Sequence, residues 1–198
     1  MKSGPTTEAE QSPTQDEIRY KSALIGANMD RLDLSHRDLR GVDMSVASLR
    51  GADLSHADLR GAKLVRADLS RANLHMADLS HADVSSADFT GAYMKAALFY
   101  KTTAWVALFR RITAKNALFI YTDLRGCDFF QSELMGARFD GALTEGIRNM
   151  ETAQFFWWSS PWQGGHSYEP RPGWTRMDQS ALGGISLQEN SGGQKRNE

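Results

Sequence analysis

From Ala52 to Phe89 the chain repeats a five-residue unit without an insertion: alanine, usually Asp or Asn, an apolar centre, then two corner residues. Leu54, Leu59, Leu64, Leu69, Leu74, Leu79, Val84 and Phe89 are the centres. A period of five matches neither 3.6 nor 2, so an amphipathic helix and a free strand are both excluded. A short extended run followed by a corner does match. Within the run, the alanine and the centre two places later share a face, while the residue between them points outward. Gly41, Gly51, Gly61, Gly91, Gly126, Gly136 and Gly141 all take the second corner place, where a tight turn of positive φ favours glycine. The pattern predicts an all-β solenoid with a dry interior of Ala and Leu or Phe.

A second rhythm sets the number of sides. Arg-Gly follows the centres Leu39, Leu49 and Leu59, and Ala-Leu-Phe recurs from Ala97, Ala107 and Ala117, both at period ten. Period ten demands an even number of sides. Between Phe89 and Phe139 the larger centre appears on every second side, with Ala104 and Ala114 between the phenylalanines. Four sides stack Phe on Phe and balance two Phe walls against two Ala walls, which conserves core volume as close packing requires. Three sides would stack Phe on Ala and leave voids. The expectation is four sides and twenty residues per coil.

The unit A-(D/N)-L-x-x resembles that of the pentapeptide-repeat family. The resemblance covers about twenty-five units over residues 22–146 and implies a right-handed quadrilateral β-helix of about six coils with short helical caps and irregular arms. It implies little about function, because one architecture hosts many roles. The family also includes quinolone-resistance proteins that resemble a DNA rod and bind gyrase, which makes a DNA-mimicking gyrase or topoisomerase modulator the alternative reading.

The flanks depart from the repeat. Residues 1–13 are rich in Ser, Thr, Pro, Glu and Gln and read as a disordered arm. Thr14 and Glu17 have the spacing of a capping box, so residues 14–21 read as an N-terminal cap. In the first coil, Leu32, Arg37 and Val42 stand where alanine is expected. Arg37 cannot lie unpaired in a dry interior, so either that coil is splayed or the guanidinium leaves sideways towards a carboxylate. Ile147, Met150, Ala153 and Trp157 fall at helical spacing, predicting a C-terminal cap helix over residues 147–158. Residues 159–198 read as an irregular, Gly/Pro-rich arm and tail, and seven of the twenty residues from Phe155 to Trp174 are aromatic.

Charge adds a constraint. Net charge is −1, and residues 22–146 hold fifteen acids against fifteen Lys plus Arg, so neither direct nucleic-acid binding nor a membrane surface is indicated. A DNA mimic needs a continuous negative face in place of phosphates, whereas Arg31, Arg50, Arg71, Arg110 and Arg111 stand along one side. The sole cysteine, Cys127, replaces an inward alanine and reads as a buried filler. No basic-then-apolar leader and no long apolar run is present, so no membrane span is expected and the expected compartment is the cytoplasm. His36 and His56 are one coil apart with His75 and His81 near, yet no acid or Cys completes a metal site, and no glycine-rich phosphate loop or nucleophile motif occurs. The expectations are no cofactor, no metal and no enzymatic activity.

Function therefore turns on the outward positions. In the first half they are small and polar. In the second, Leu98 and Leu118 replace the outward acid on one wall, Tyr100, Ile120 and Tyr121 flank them, and Trp105 lies round the next corner. Monomers rarely leave so large an apolar patch bare. Either it docks a partner protein or a second copy, with Trp157, Trp158, Trp162 and Trp174 assisting, or the chain's own C-terminal segment covers it. The expected role is a non-catalytic, rigid interaction scaffold, for example a minor component of a viral or other multiprotein assembly.

Overall fold

The computed structural model describes residues 24–154, all in the first of the two units into which the chain divides, Met1–Ser167 and Tyr168–Glu198. Parallel bridges join residues twenty apart, from Asn28 with Ser48 to Asp128 with Arg148. They form four columns, begun by Asn28, Asp33, Asp38 and Asp43, here termed faces one to four. The backbone thus regains its own column after four sides, as the ten-residue rhythm requires.

Two kinds of backbone hydrogen bond build each ladder. The centre donates forward, as from the Leu54 N–H to the Asn73 carbonyl at 2.7 Å, and the outward residue donates back, as from Asn73 to Ala52 at 2.9 Å. A hydrogen bond closes the β-turn at most corners, as from the Ala57 N–H to the Leu54 carbonyl at 3.1 Å. The second corner residue has positive φ whether it is glycine or not: 66° at Gly61 and 57° at His56. At Gly141 the corner also needs the space, because an added Cβ would lie 2.4 Å from Cδ1 of the Tyr121 ring.

The centres fill the interior as expected. On face one, Phe89, Phe109 and Phe129 stack with centroids 5.0 and 5.1 Å apart. On face three, opposite, Phe99, Phe119 and Phe139 stack at 4.8 and 5.0 Å. The two stacks meet edge to face, Phe109 against Phe99 at 6.0 Å and against Phe119 at 5.7 Å. Ala104 and Ala114 occupy faces four and two beside them and are fully buried, leaving room for rings that meet across the interior. Polar inward residues are satisfied by the coil before: Thr102 Oγ1 donates to the Leu79 carbonyl at 2.7 Å, and Thr122 and Ser132 donate likewise to Phe99 and Phe109.

The outward Asp does more than face solvent. Its Oδ1 accepts the N–H of the first corner residue two places on, as from Ser55 to Asp53 and from Ser70 to Asp68, both 2.9 Å. The side chain caps a turn donor that the ladder leaves over, the local bond for which Asp and Asn are suited. On face three the same acids interlock between coils. Arg40 meets Asp38 at 2.7 Å and Asp58 at 3.6 Å, and Arg60 meets Asp58 at 2.6 Å and Asp78 at 3.8 Å.

The two ends of the described coil settle local questions. Arg37 keeps its backbone in the ladder, its carbonyl accepting the Asp58 N–H at 2.9 Å, so the coil is not splayed there. Its side chain is exposed and its charge acts on the Asp33 carboxylate. At the other end the repeat runs past residue 146, since Arg148 pairs with Asp128. The cap helix expected over 147–158 is, in its described part, a single 3-10 turn, Met150–Thr152. This is a correction: Asn149, at the place of a centre, takes the left-handed conformation with φ 58°, and Gln154 returns to the ladder opposite Glu133, one residue beyond the step of twenty. Ladder pairing prevails over helical spacing, although Met150 and Ala153 are buried as that spacing implied. The expected arm, N-terminal cap and aromatic tail lie outside the described residues.

Two outcomes follow. Phe109→Ala removes the middle ring of the face-one stack, which also meets Phe99 and Phe119 edge to face, and lowers unfolding free energy by about 3–5 kcal/mol in denaturant titration. Several carboxyls are held below their ordinary range, Asp58 by the hydrogen bond from Arg60 and Asp123 by that from Arg125. At Asp128 burial pushes upward, but bonds from Asn149 and Arg110 outweigh it. A carboxyl lowered on folding stabilises above its unfolded pKa, and that contribution is lost as pH falls through the folded one. The thermal midpoint is therefore level from pH 7 to about 5 and falls below about pH 4, measured by circular dichroism.

Candidate protein-docking surface

The repeat itself builds the surface. Face three and the corner after it carry, coil by coil, Asp38 with Arg40, Asp58 with Arg60, Asp78 with Ser80, Leu98 with Tyr100, Leu118 with Ile120, and Arg138 with Asp140. Leu98 and Leu118 are paired directly in one ladder. They form an apolar window two coils tall, roughly 10 Å at ordinary ladder spacing. Its lower border is the Asp78 carboxylate, which accepts from Ser80 at 2.9 and 2.5 Å, and its upper border is the Arg138–Asp140 pair at 3.0 Å.

The flanking aromatic residues gather at the corner. Tyr100 meets Tyr121 edge to face at 6.1 Å and His81 at 5.6 Å, while the Lys101 ammonium lies 5.2 Å from the Tyr100 centroid. Tyr121, a large ring at the edge of the window, rests on Gly141 and is still 58% exposed. Leu98, Tyr100, Leu118 and Ile120 are half-buried, so the window is a shallow surface without a deep pocket.

Trp105 stands apart from these five. It occupies the next corner, beyond Thr103 and the Asp123–Arg125 pair of face four, and is 56% exposed. Among the described residues no ring contact joins it to Tyr100 or Tyr121. Trp157, Trp158, Trp162 and Trp174 lie outside the described residues.

Leu98 and Leu118 have a local cost that residue spacing alone does not reveal. In the polar coils the outward acid caps the N–H two places on, and a leucine offers no acceptor to the N–H of Tyr100 or Ile120. Each corner therefore forgoes a hydrogen bond worth about 0.5–1.5 kcal/mol. Reading the Asp as a turn cap would have marked Leu98, Leu108 and Leu118, with Lys63, Tyr93, Arg138 and Leu143, as places where the repeat departs from its own stabilising rule.

Other chemistry is sparse. Cys127 donates its thiol to the Ala104 carbonyl at 2.8 Å, and burial pushes its pKa up to about 12, so it is no nucleophile at neutral pH. His36 and His56 stack at 4.7 Å with planes 4° apart, and His75 meets His56 at 5.4 Å. Among the described residues no three His, Cys, Asp or Glu are grouped to hold a metal ion, and no helix is long and apolar enough to cross a membrane.

Solved structures similar to this chain include HetL from Nostoc sp. Strain PCC 7120, a pentapeptide repeat protein involved in heterocyst differentiation regulation. It is 24% identical over 66% of this chain and 75% of its own, with a TM-score of 0.29. A trypsin-treated form of QnrB1, a plasmid-mediated fluoroquinolone resistance protein, is 23% identical over 67% and 77%, with a TM-score of 0.46. Rfr23 from Cyanothece 51142 is 22% identical over 69% and 89%, with a TM-score of 0.32. Superpositions at this level carry no argument about function. No curated protein matches the chain. The pentapeptide-repeat model matches residues 27–64, 52–91 and 107–143 with eight copies of the repeat. The matched stretches cover more than half of the sequence, and the chain belongs to the pentapeptide-repeat family, whose fold is a right-handed β-helix.

Proposed function

We propose that this protein is a non-catalytic interaction scaffold of about six coils that docks a partner protein, or a second copy of itself, on the window formed by Leu98, Tyr100, Leu118, Ile120 and Tyr121. One observation carries the reading. On a face where every other described coil closes a charged or polar pair, two adjacent coils place leucine in the ladder and give up the turn cap that Asp supplies. Nothing in the folding of those coils requires the exchange, because their interior is filled by Phe99 and Phe119. Apolar area displayed at a local cost suits contact with another surface, and tyrosine at its border is the residue type that anchors such contacts. Trp105 serves as a separate contact at the next corner. No observation favours the DNA-mimicking alternative: Asp38 and Asp58 are each in contact with an arginine, so face three does not present a continuous row of free negative charge.

The test exploits the repeat's own rule. Leu98→Asp with Leu118→Asp restores both turn caps, so the thermal midpoint is unchanged or raised, while self-association by sedimentation and capture of a partner from native extract are lost. Association undiminished in this folded double variant contradicts the proposal. The alternative has its own readout, since purified protein that leaves gyrase supercoiling unaltered at micromolar concentration is not a gyrase modulator.

A further inference from the structure

The corner between faces one and two follows a different rule from the other three. Its second place reads Arg31, Gly51, Arg71, Gly91, Arg111 along the coils, an alternation of arginine and glycine at intervals of twenty residues. The glycines receive the arginine stems: a Cβ on Gly51 would lie 3.8 Å from Cγ of Arg31, and one on Gly91 would lie 3.6 Å from Cγ of Arg71. Each arginine therefore lies along the corner over the bare backbone of the next coil. Between Arg31 and Arg71 this leaves a concavity of about 390 Å³ lined by Asp30, Arg31, Arg50, Gly51, Ser70 and Arg71.

Three guanidiniums border this concavity and only one carboxylate lines it. Asp30 is already occupied, accepting from Ser48 Oγ at 2.5 Å and from the Arg50 N–H at 2.9 Å. Arg50 touches Asp68 at 3.5 Å. Neither Arg31 nor Arg71 is paired with a carboxylate among the described residues. The same corner holds a second concavity, about 470 Å³, lined by Thr90, Arg110, Arg111, Asp128, Phe130 and Asn149. There the cations are engaged: Arg110 closes on Asp128 at 2.7 Å, and Arg111 lies 5.9 Å from the Phe130 centroid and bonds Gln131 at 3.3 Å. The first concavity is thus the one with guanidinium donors to spare.

We propose that the concavity between Arg31 and Arg71 binds a compact polyanion of the di- or triphosphate class. Arginine presents a planar fork of donors matched to phosphate oxygens, and two unpaired forks flank a floor that Gly51 keeps open. Ser70 adds a hydroxyl donor. A long nucleic-acid strand fits less well, because the adjoining faces carry Asp33, Asp53, Asp68 and Asp88 and interrupt a cationic track of the kind that follows a phosphate backbone. The site lies on different faces from the apolar window and does not depend on it.

Isothermal titration of the full chain with tripolyphosphate, at fixed ionic strength and with sulfate and oligothymidylates as comparators, tests this. The expected result is saturable one-to-one binding that is stronger than for sulfate. It weakens at least tenfold in Arg31→Gly with Arg71→Gly and is unchanged in Arg111→Gly. Glycine already holds φ of 63° and 73° at places 51 and 91 of the same column, so the thermal midpoint of the double variant stays unaltered. Absence of saturable binding, equal loss in Arg111→Gly, or oligothymidylate binding that exceeds tripolyphosphate and grows with strand length would overturn the assignment.

Discussion

The constraint on which the molecule depends is a left-handed residue at every fifth position. With positive φ at places such as Gly41, Val46, Gly51 and His56, the backbone turns by the same amount after each short extended run, and four such turns bring it back over itself. Glycine adopts this conformation without steric cost, and other residues adopt it at a price. Coil-to-coil hydrogen bonds and the interior offset that strain, since each coil donates to the next at 2.6–3.1 Å and receives from it in turn. The consequence is strict. Because no corner slips between Leu24 and Arg148, any two places twenty apart are neighbours, and a substitution in one coil is read by the coils directly before and after it.

That adjacency explains how the interior changes character along the chain without changing width. From Ala47 to Leu79 the coils use Leu on all four sides with Ala beside each. The later ones trade this for phenylalanine on faces one and three, balanced in one coil by Ala104 on face four and Ala114 on face two. Rings stack within a face at 4.8–5.1 Å and meet the opposite stack edge to face. The same accounting by column applies outside. Face three passes from an interlocked Asp and Arg ladder, to two leucines, to an Arg138–Asp140 pair in reversed order, so surface chemistry is written coil by coil on a constant backbone. Function in such a molecule lies in which columns break their own pattern.

Much of this is legible in the amino-acid sequence because the period is short and the phase unbroken. The inward and outward assignment of Leu54 or Asp53, the pairing of Leu98 with Leu118 and the Phe-on-Phe stacks all follow from counting by five and by twenty. What counting misses is local or belongs to an end. The role of the outward Asp as acceptor for the N–H two places on is a side-chain bond, invisible to periodicity. The 3-10 turn Met150–Thr152 replaces the helix that Ile147, Met150 and Ala153 suggest, because bridges at Arg148 and Gln154 hold that stretch in the ladder. The alignment of Arg31, Arg50 and Arg71 is legible by counting, but their pairing is not: only side-chain geometry shows that Arg50 meets Asp68. Trp105 falls one corner away from the window because five residues carry the chain along a whole side.

The central claim, a register of twenty residues, is tested most directly by nitroxide pairs introduced at cysteines, with the buried thiol of Cys127 left unlabelled in the folded protein. Labels at positions 98 and 118 sit on bridged residues of adjacent coils, with backbones about 4.8 Å apart, and their continuous-wave spectrum is strongly broadened by dipolar coupling, whereas labels at 98 and 113 sit on different faces and show little broadening. Strong broadening for 98 with 113 and none for 98 with 118 would mean a three-sided coil and would contradict the fold, the apolar window and the arginine corner together.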